Sequence, residues 1–170
     1  VGLATLRAIL KLWVGFPPTR SGVFSAGNGP AMRSAILGAY FAHDPAKRRE
    51  FVSAATRITH TDPKAQTAAL AVAEAAAWAI GQEEPIAGLL QRLSSLGQDA
   101  EWTSLCQKLN AALSQGASVV AFADELGLRN GVSGYAYHSV PVALYAWLRH
   151  PNDFPAALKA ALDCGGDTDT

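Results

Sequence analysis

At 170 residues the chain is long enough for one domain with a sizeable core. Hydrophobic residues make up 49% and charged residues 16%, a balance that excludes a disordered chain. Lys plus Arg and Asp plus Glu number 14 each, for a formal net charge of zero. A nucleic-acid footprint or a polybasic membrane patch would need an excess of cations, so both are disfavoured; a small anionic ligand is not.

Cys106 and Cys164 lie far apart without metal-ligand spacing. They read as reduced thiols of a cytoplasmic protein, with a single disulfide left open. No apolar run reaches roughly 18 residues, so no membrane span is expected. The pattern begins at Val1 in mid-run and ends in a ligand-like motif, and the chain therefore reads as part of something longer, truncated at both ends.

Leu3, Leu6, Leu10 and Trp13 recur at helical spacing and predict an amphipathic helix over 3–14, stopped by Gly15 and Pro17-Pro18. Residues 15–28, rich in Gly, Pro, Ser and Thr, read as loop. A second helix is expected from Pro30, presenting Met32, Ile36 and Tyr40 on one face. Asp44 can cap a third, with Pro45 in its first turn, Phe51, Ala54, Ala55 and Ile58 inward and Lys47-Arg48-Arg49 outward. Asp62-Pro63 repeats the device for an alanine-rich helix to about Ile80, apolar on every side and so central. Glu74 within it is either a paired buried acid or the mark of the one wet stripe, and a structural role is preferred to a chemical one because buried charges are normally paired.

Helical patterns follow at 85–96, 101–114 and 117–126, punctuated by Gly97, Gly116 and Gly127, and none of them suggests chemistry. Residues 127–138 form a second glycine-rich loop. Ser139-Val140-Pro141 is read as opening a helix to about Arg149, and Asn152-Asp153 as capping a last one from Phe154 to about Asp163. No two-residue alternation interrupts this succession, and the fold class is all-α.

Two stretches could carry chemistry. Asp167, Asp169 and Thr170 form an all-oxygen donor set suited to Mg²⁺, Mn²⁺ or Ca²⁺ and poor for zinc or copper. A D-x-D spacing of this kind also opens calcium loops, and polar residues at a chain end need no ligand at all. Ser25-Ala26-Gly27-Asn28-Gly29, before a helix start at Pro30, can aim backbone N–H groups at an anion, or can be an ordinary glycine turn with Asn28 as N-cap. It carries no Walker lysine. His60, at a helix boundary, can face a cleft or simply offset a helix C-terminus.

In this order, Ser25-Ala26-Gly27-Asn28-Gly29-Pro30-Ala31-Met32-Arg33, His60, the Gly131 to Pro141 segment and Gly165 to Thr170 resemble the ADP-ribosylglycohydrolase family, which includes the dinitrogenase reductase-activating glycohydrolases. The resemblance covers nearly the whole chain. It implies a compact, orthogonal all-helical bundle around a cleft holding two Mg²⁺ or Mn²⁺ ions. It also implies hydrolysis of the glycosidic bond between ADP-ribose and a modified protein side chain or small acceptor, through an oxocarbenium-like transition state. Asp167, Asp169 and Thr170 match metal ligands; Ser25, Gly27, Asn28 and Gly29 match the loop holding the phosphates and adjoining ribose. His60 matches a ribose-side contact, and Gly134 with Tyr135 the adenine end. Met32 and Arg33 are expected to pack and pair rather than touch ligand.

The sequence departs from the family at Pro30, where a smaller residue is usual. The family's acidic N-terminal blocks have no counterpart within the chain, so its catalytic acid is expected upstream of Val1 and these 170 residues alone are expected to be inactive. Two other readings stand beside this one: a non-catalytic ADP-ribose-binding or structural protein on the same fold, and an unrelated helical protein with a calcium loop.

Overall fold

Apolar runs punctuated by Gly, Pro and capping Asp or Ser residues fold into eleven helices in a computed structural model that describes residues 2–81 and 85–168. In chain order these are α1 (Leu3–Trp13), α2 (Pro18–Ser21), α3 (Gly29–Met32), α4 (Ser34–Tyr40), α5 (Pro45–Arg57), α6 (Pro63–Gly81), α7 (Ile86–Ser95), α8 (Ala100–Gln115), α9 (Val119–Glu125), α10 (Ala136–Arg149) and α11 (Phe154–Leu162). Extended pairing among the described residues is limited to isolated bridges between loops. The class is all-α, as the sequence predicts, and no described helix is long and apolar enough to cross a membrane.

Capping residues set several helix starts. Side-chain oxygens of Asp44, Asp99, Ser118 and Asp153 accept from the backbone N–H three residues on, at the starts of α5, α8, α9 and α11. Each such cap contributes about 1 kcal/mol. Asp62 does similar work before α6, accepting from Lys64 N at 2.9 Å.

The central element is α6, against which α3, α4, α5, α7 and α10 all pack. Its alanines favour the helix and keep its surface thin, so neighbours come close. The closest approach is at Gly38 of α4, where a β-carbon would lie 2.3 Å from Ala73 O. On the other side a larger core holds Trp102, Phe122, Tyr137 and Tyr145, all buried. Its polar tips are satisfied: Trp102 Nε1 donates to Leu93 O at 2.8 Å, and the Tyr145 hydroxyl reaches Ala112 O at 3.0 Å and Ala117 O at 2.7 Å.

Several local expectations are corrected. The helix predicted from Pro30 is two: the chain breaks at Arg33, with φ −107° and ψ −1°, separating α3 from α4. A short helix, α2, occupies part of the predicted loop 15–28. Pro141 does not open α10 but lies inside it, because Ala136 N donates to Ala26 O at 2.8 Å and starts the helix five residues earlier. The apolar stripe of α1 faces outward; Ala8 is the buried residue, while Trp13 is 80% exposed. The face of Met32, Ile36 and Tyr40 is exposed too, so Met32 does not pack as expected.

The register of α5 is also rotated from expectation. Phe51 and Ile58 lie outside and Arg48, Val52 and Thr56, four residues apart, form the buried stripe. Arg48 therefore points inward, against the outward placement predicted for Lys47-Arg48-Arg49. The reason is Glu74 of α6. Arg48 Nε donates to Glu74 Oε1 at 2.8 Å and Nη2 to Oε2 at 3.0 Å, while Nη1 reaches the carbonyls of Phe41 at 2.8 Å and Ala42 at 3.0 Å. Arg92 Nε lies 3.3 Å from Glu74 Oε2. Glu74 is thus the paired buried acid of the two readings the sequence allowed, and it joins α5 and α7 to the central helix.

Candidate functional site

Four segments distant in sequence meet at one end of the bundle. Val23 pairs with His60 in a parallel bridge, Gly27 with Tyr135 in an antiparallel one and Val132 with Gly166 in a parallel one. Asn28 N donates to Gly134 O at 2.9 Å, and Asp167 N to Val132 O at 2.7 Å. The 131–136 segment is therefore the seam: one edge holds the 25–29 loop, the other the 165–167 turn. Gly131 and Gly166, at φ +105° and +92°, lie so close that a β-carbon on Gly131 would stand 2.6 Å from the Gly166 backbone.

Between the two edges sits Gly134. A β-carbon there would lie 2.7 Å from Asp167 Oδ2 and 3.8 Å from Asn28 Oδ1. The missing side chain makes room for the Asp167 carboxylate, and the Asn28 amide lies at ordinary contact distance from the same point. Gly134 thus adjoins Asp167 and the 25–29 loop. Asp169 and Thr170, the other expected metal ligands, lie outside the described residues. Asp167 fits a hard divalent cation in kind, as a carboxylate presented over a glycine whose β-carbon would fill the space.

The 25–29 loop differs in detail from an open anion cradle. The N–H of Asn28 is used in the bridge to Gly134, and that of Gly27 points at Ser25 Oγ, 3.3 Å away. Asn28 occupies the N-cap position of α3, but its side chain makes no cap bond; Nδ2 donates instead to Ser139 Oγ at 3.1 Å. These bonds fix the loop against α10, so its shape is set before any ligand arrives.

His60 is buried, with Nδ1 2.8 Å from Thr59 Oγ1. Burial, and then the nearby Arg33 cation, push its pKa below the ordinary histidine range, with Asp62 pulling the other way. Its Nε2 edge faces the glycine loop: β-carbons on Gly27 and Gly29 would lie 3.1 Å from Nε2 and 3.4 Å from Cε1. Arg33 pairs as expected, donating to Gly29 O and Ala55 O at 3.0 Å each and to the Thr59 hydroxyl.

Tyr135 is held by a network the sequence did not signal. Its hydroxyl donates to Glu101 Oε1 at 3.0 Å and accepts from Lys64 Nζ at 2.9 Å. Lys64 and Glu101 are themselves paired at 2.5 Å, and these bonds hold the Lys64 pKa above its usual value. The His138 ring stands edge-on to that of Tyr135 at 4.9 Å. The helix from residue 101 therefore does contribute to the site region, through Glu101 in the first turn of α8. An acid early in a helix is so common that its spacing carries no warning.

Ser25, Gly27, Asn28, Gly29, His60, Gly134, Tyr135 and Asp167 are thus brought to one end of the molecule by backbone bridges. The ADP-ribosylglycohydrolase family model matches residues 1–170. An uncharacterized protein of Archaeoglobus fulgidus is similar, 31% identical over 173 residues, an alignment that takes in 100% of this chain and 54% of the relative. The chain spans about half the length of that curated relative.

Proposed function

The chain belongs to the ADP-ribosylglycohydrolase family, and from that premise we propose that it supplies the ADP-ribose-binding half of a metal-dependent hydrolase that cleaves the glycosidic bond between ADP-ribose and a modified protein side chain or small acceptor. The observation that carries this reading is Gly134, which makes room for the Asp167 carboxylate on a wall that the Asn28 side chain adjoins.

On this reading the prearranged 25–29 loop receives the diphosphate and the adjoining ribose, with Ser25 and the Gly27 and Gly29 backbone in contact and Asn28 holding the loop's shape. His60 contacts an oxygen of the ribose or phosphate side. The Tyr135 hydroxyl is already engaged by Lys64 and Glu101, so an adenine would meet the ring rather than the phenol. Asp167, with Asp169 and Thr170, would hold Mg²⁺ or Mn²⁺. The bound cation supplies Lewis acidity and orientation of a water and the ribose hydroxyls in an oxocarbenium-type hydrolysis.

Amide NMR of the ¹⁵N-labelled chain titrated with ADP-ribose in the presence of Mg²⁺ tests the assignment. Shifts concentrated at Gly27, Gly29, His60 and Tyr135 are expected. Shifts confined to other surfaces, or none at saturating ligand, would contradict it.

A further inference from the structure

The surroundings of His60 fix where its proton sits. The Arg33 guanidinium donates to the Thr59 hydroxyl and to the carbonyls of Gly29 and Ala55. A guanidinium has donors only, so Thr59 Oγ1 must be the acceptor in that contact. The single hydroxyl proton then has two possible acceptors, His60 Nδ1 at 2.8 Å and Thr56 O at 3.5 Å. The first is an ordinary O–H donor distance and the second lies at the outer limit. A cation on the hydroxyl oxygen also polarises the O–H bond and strengthens it as a donor. The reverse arrangement, with Nδ1–H donating to Thr59, would leave the hydroxyl proton only the 3.5 Å contact to Thr56 O.

We infer that Arg33 and Thr59 are positioning residues that hold His60 as the neutral tautomer protonated on Nε2, with Nδ1 accepting from the Thr59 hydroxyl. The surroundings of the ring, taken together, favour its neutral form. Arg33, from the α3–α4 junction, opposes an imidazolium and acts together with burial, while Asp62, two residues on, favours one and is outweighed. Because Nε2 is the edge that faces the side-chain-free strip of Gly27 and Gly29, the loop is met by a hydrogen-bond donor. The role of His60 is then to donate to an oxygen of the ligand and not to withdraw a proton from it. This last step rests on the ADP-ribose reading; the tautomer does not.

Long-range ¹H–¹⁵N correlation spectra of the ligand-free 170-residue chain at neutral pH read the tautomer directly, with the His60 signals identified by their loss in H60Q. Nδ1 is expected in the unprotonated range and Nε2 in the protonated range. In T59V, which keeps the side-chain shape without the hydroxyl, the Nδ1-protonated form should gain at least severalfold, and T59S should restore the wild-type pattern. A wild-type His60 protonated on Nδ1, or a folded T59V with an unchanged tautomer, would overturn the inference. If T59V does not fold, the wild-type spectrum alone decides. A correct tautomer in a chain that shows no response to ADP-ribose would contradict the ligand assignment and leave the tautomer assignment standing.

Discussion

A β-carbon on Gly134 would lie 2.7 Å from Asp167 Oδ2. Real β-carbons do not approach an oxygen so closely, so the bare Cα of residue 134 and the carboxylate of residue 167 occupy adjoining space by design of the backbone. The seam segment 131–136 does the arranging, since it carries Gly134 and is bonded on one edge to Asn28 and on the other to Asp167.

Gly134→Ala should therefore push the carboxylate off the wall. Calorimetric titration with ADP-ribose in Mg²⁺ is expected to show affinity reduced by about tenfold or more, a loss typical of disturbed outer-shell contacts. The far-ultraviolet circular dichroism should stay helical, because the change touches loops. Unaltered affinity in the variant would show that the Gly134–Asp167 approach does not matter for binding.

The Arg48–Glu74 pair makes a prediction about stability alone. Glu74→Ala strands Arg48 in the core, and loss of one partner of a buried pair costs about 3–5 kcal/mol. Replacing both, as Arg48→Met with Glu74→Leu, should restore much of that, because the stranded charge is gone. Urea unfolding midpoints measure both. A double variant no more stable than Glu74→Ala would assign the loss to packing instead.

Among the binding residues, Tyr135 separates ring from hydroxyl. Tyr135→Ala should weaken ADP-ribose binding by about 1–3 kcal/mol, the size of a base-on-aromatic contact. Tyr135→Phe keeps the ring and drops only the link to Lys64 and Glu101, so its loss should be smaller. Calorimetry on the two variants orders them. Equal losses would move the contribution from the ring to the phenol network.

Acid should destabilise the fold near neutrality. His60 sits below the ordinary histidine range through burial first and then Arg33, and His138 does so through burial, opposed by Glu101. A depressed folded pKa means that the unfolded chain takes up protons first. The stabilisation is complete above the unfolded value of about 6.5 and is lost as pH falls through the folded values. Urea midpoints should decline from pH 7.5 to pH 5, with buried His60 contributing more than the partly exposed His138. His60→Gln should flatten the slope, and a midpoint that rises with acid would contradict the account.

Much of this was legible in the sequence because it is written locally. Asp44-Pro45 and Asp153-Phe154 announce helix starts through short-range bonds, and an alanine-rich run broken in its middle by the single acid Glu74 announces a central helix. The glycine-rich blocks stood out for the same reason. What stayed hidden depends on partners far along the chain. Nothing near Arg48 tells that Glu74 waits for it 26 residues on, and nothing near Glu101 tells that Tyr135 will lie across from it. The register of α5 follows from the first of these, since burying Arg48 turns Phe51 and Ile58 outward. The use of the Asn28 N–H in a loop bridge was likewise unreadable, because the acceptor is Gly134, more than a hundred residues away in sequence.

The account stands most directly on one titration: ADP-ribose into the 170-residue chain by calorimetry, with Mg²⁺, with Ca²⁺ and without a divalent cation, for the wild type and Asp167→Asn. It predicts saturable ADP-ribose binding that Mg²⁺ strengthens and that Asp167→Asn returns to the metal-free level. Tight Ca²⁺ binding with no heat from ADP-ribose under any condition would contradict it.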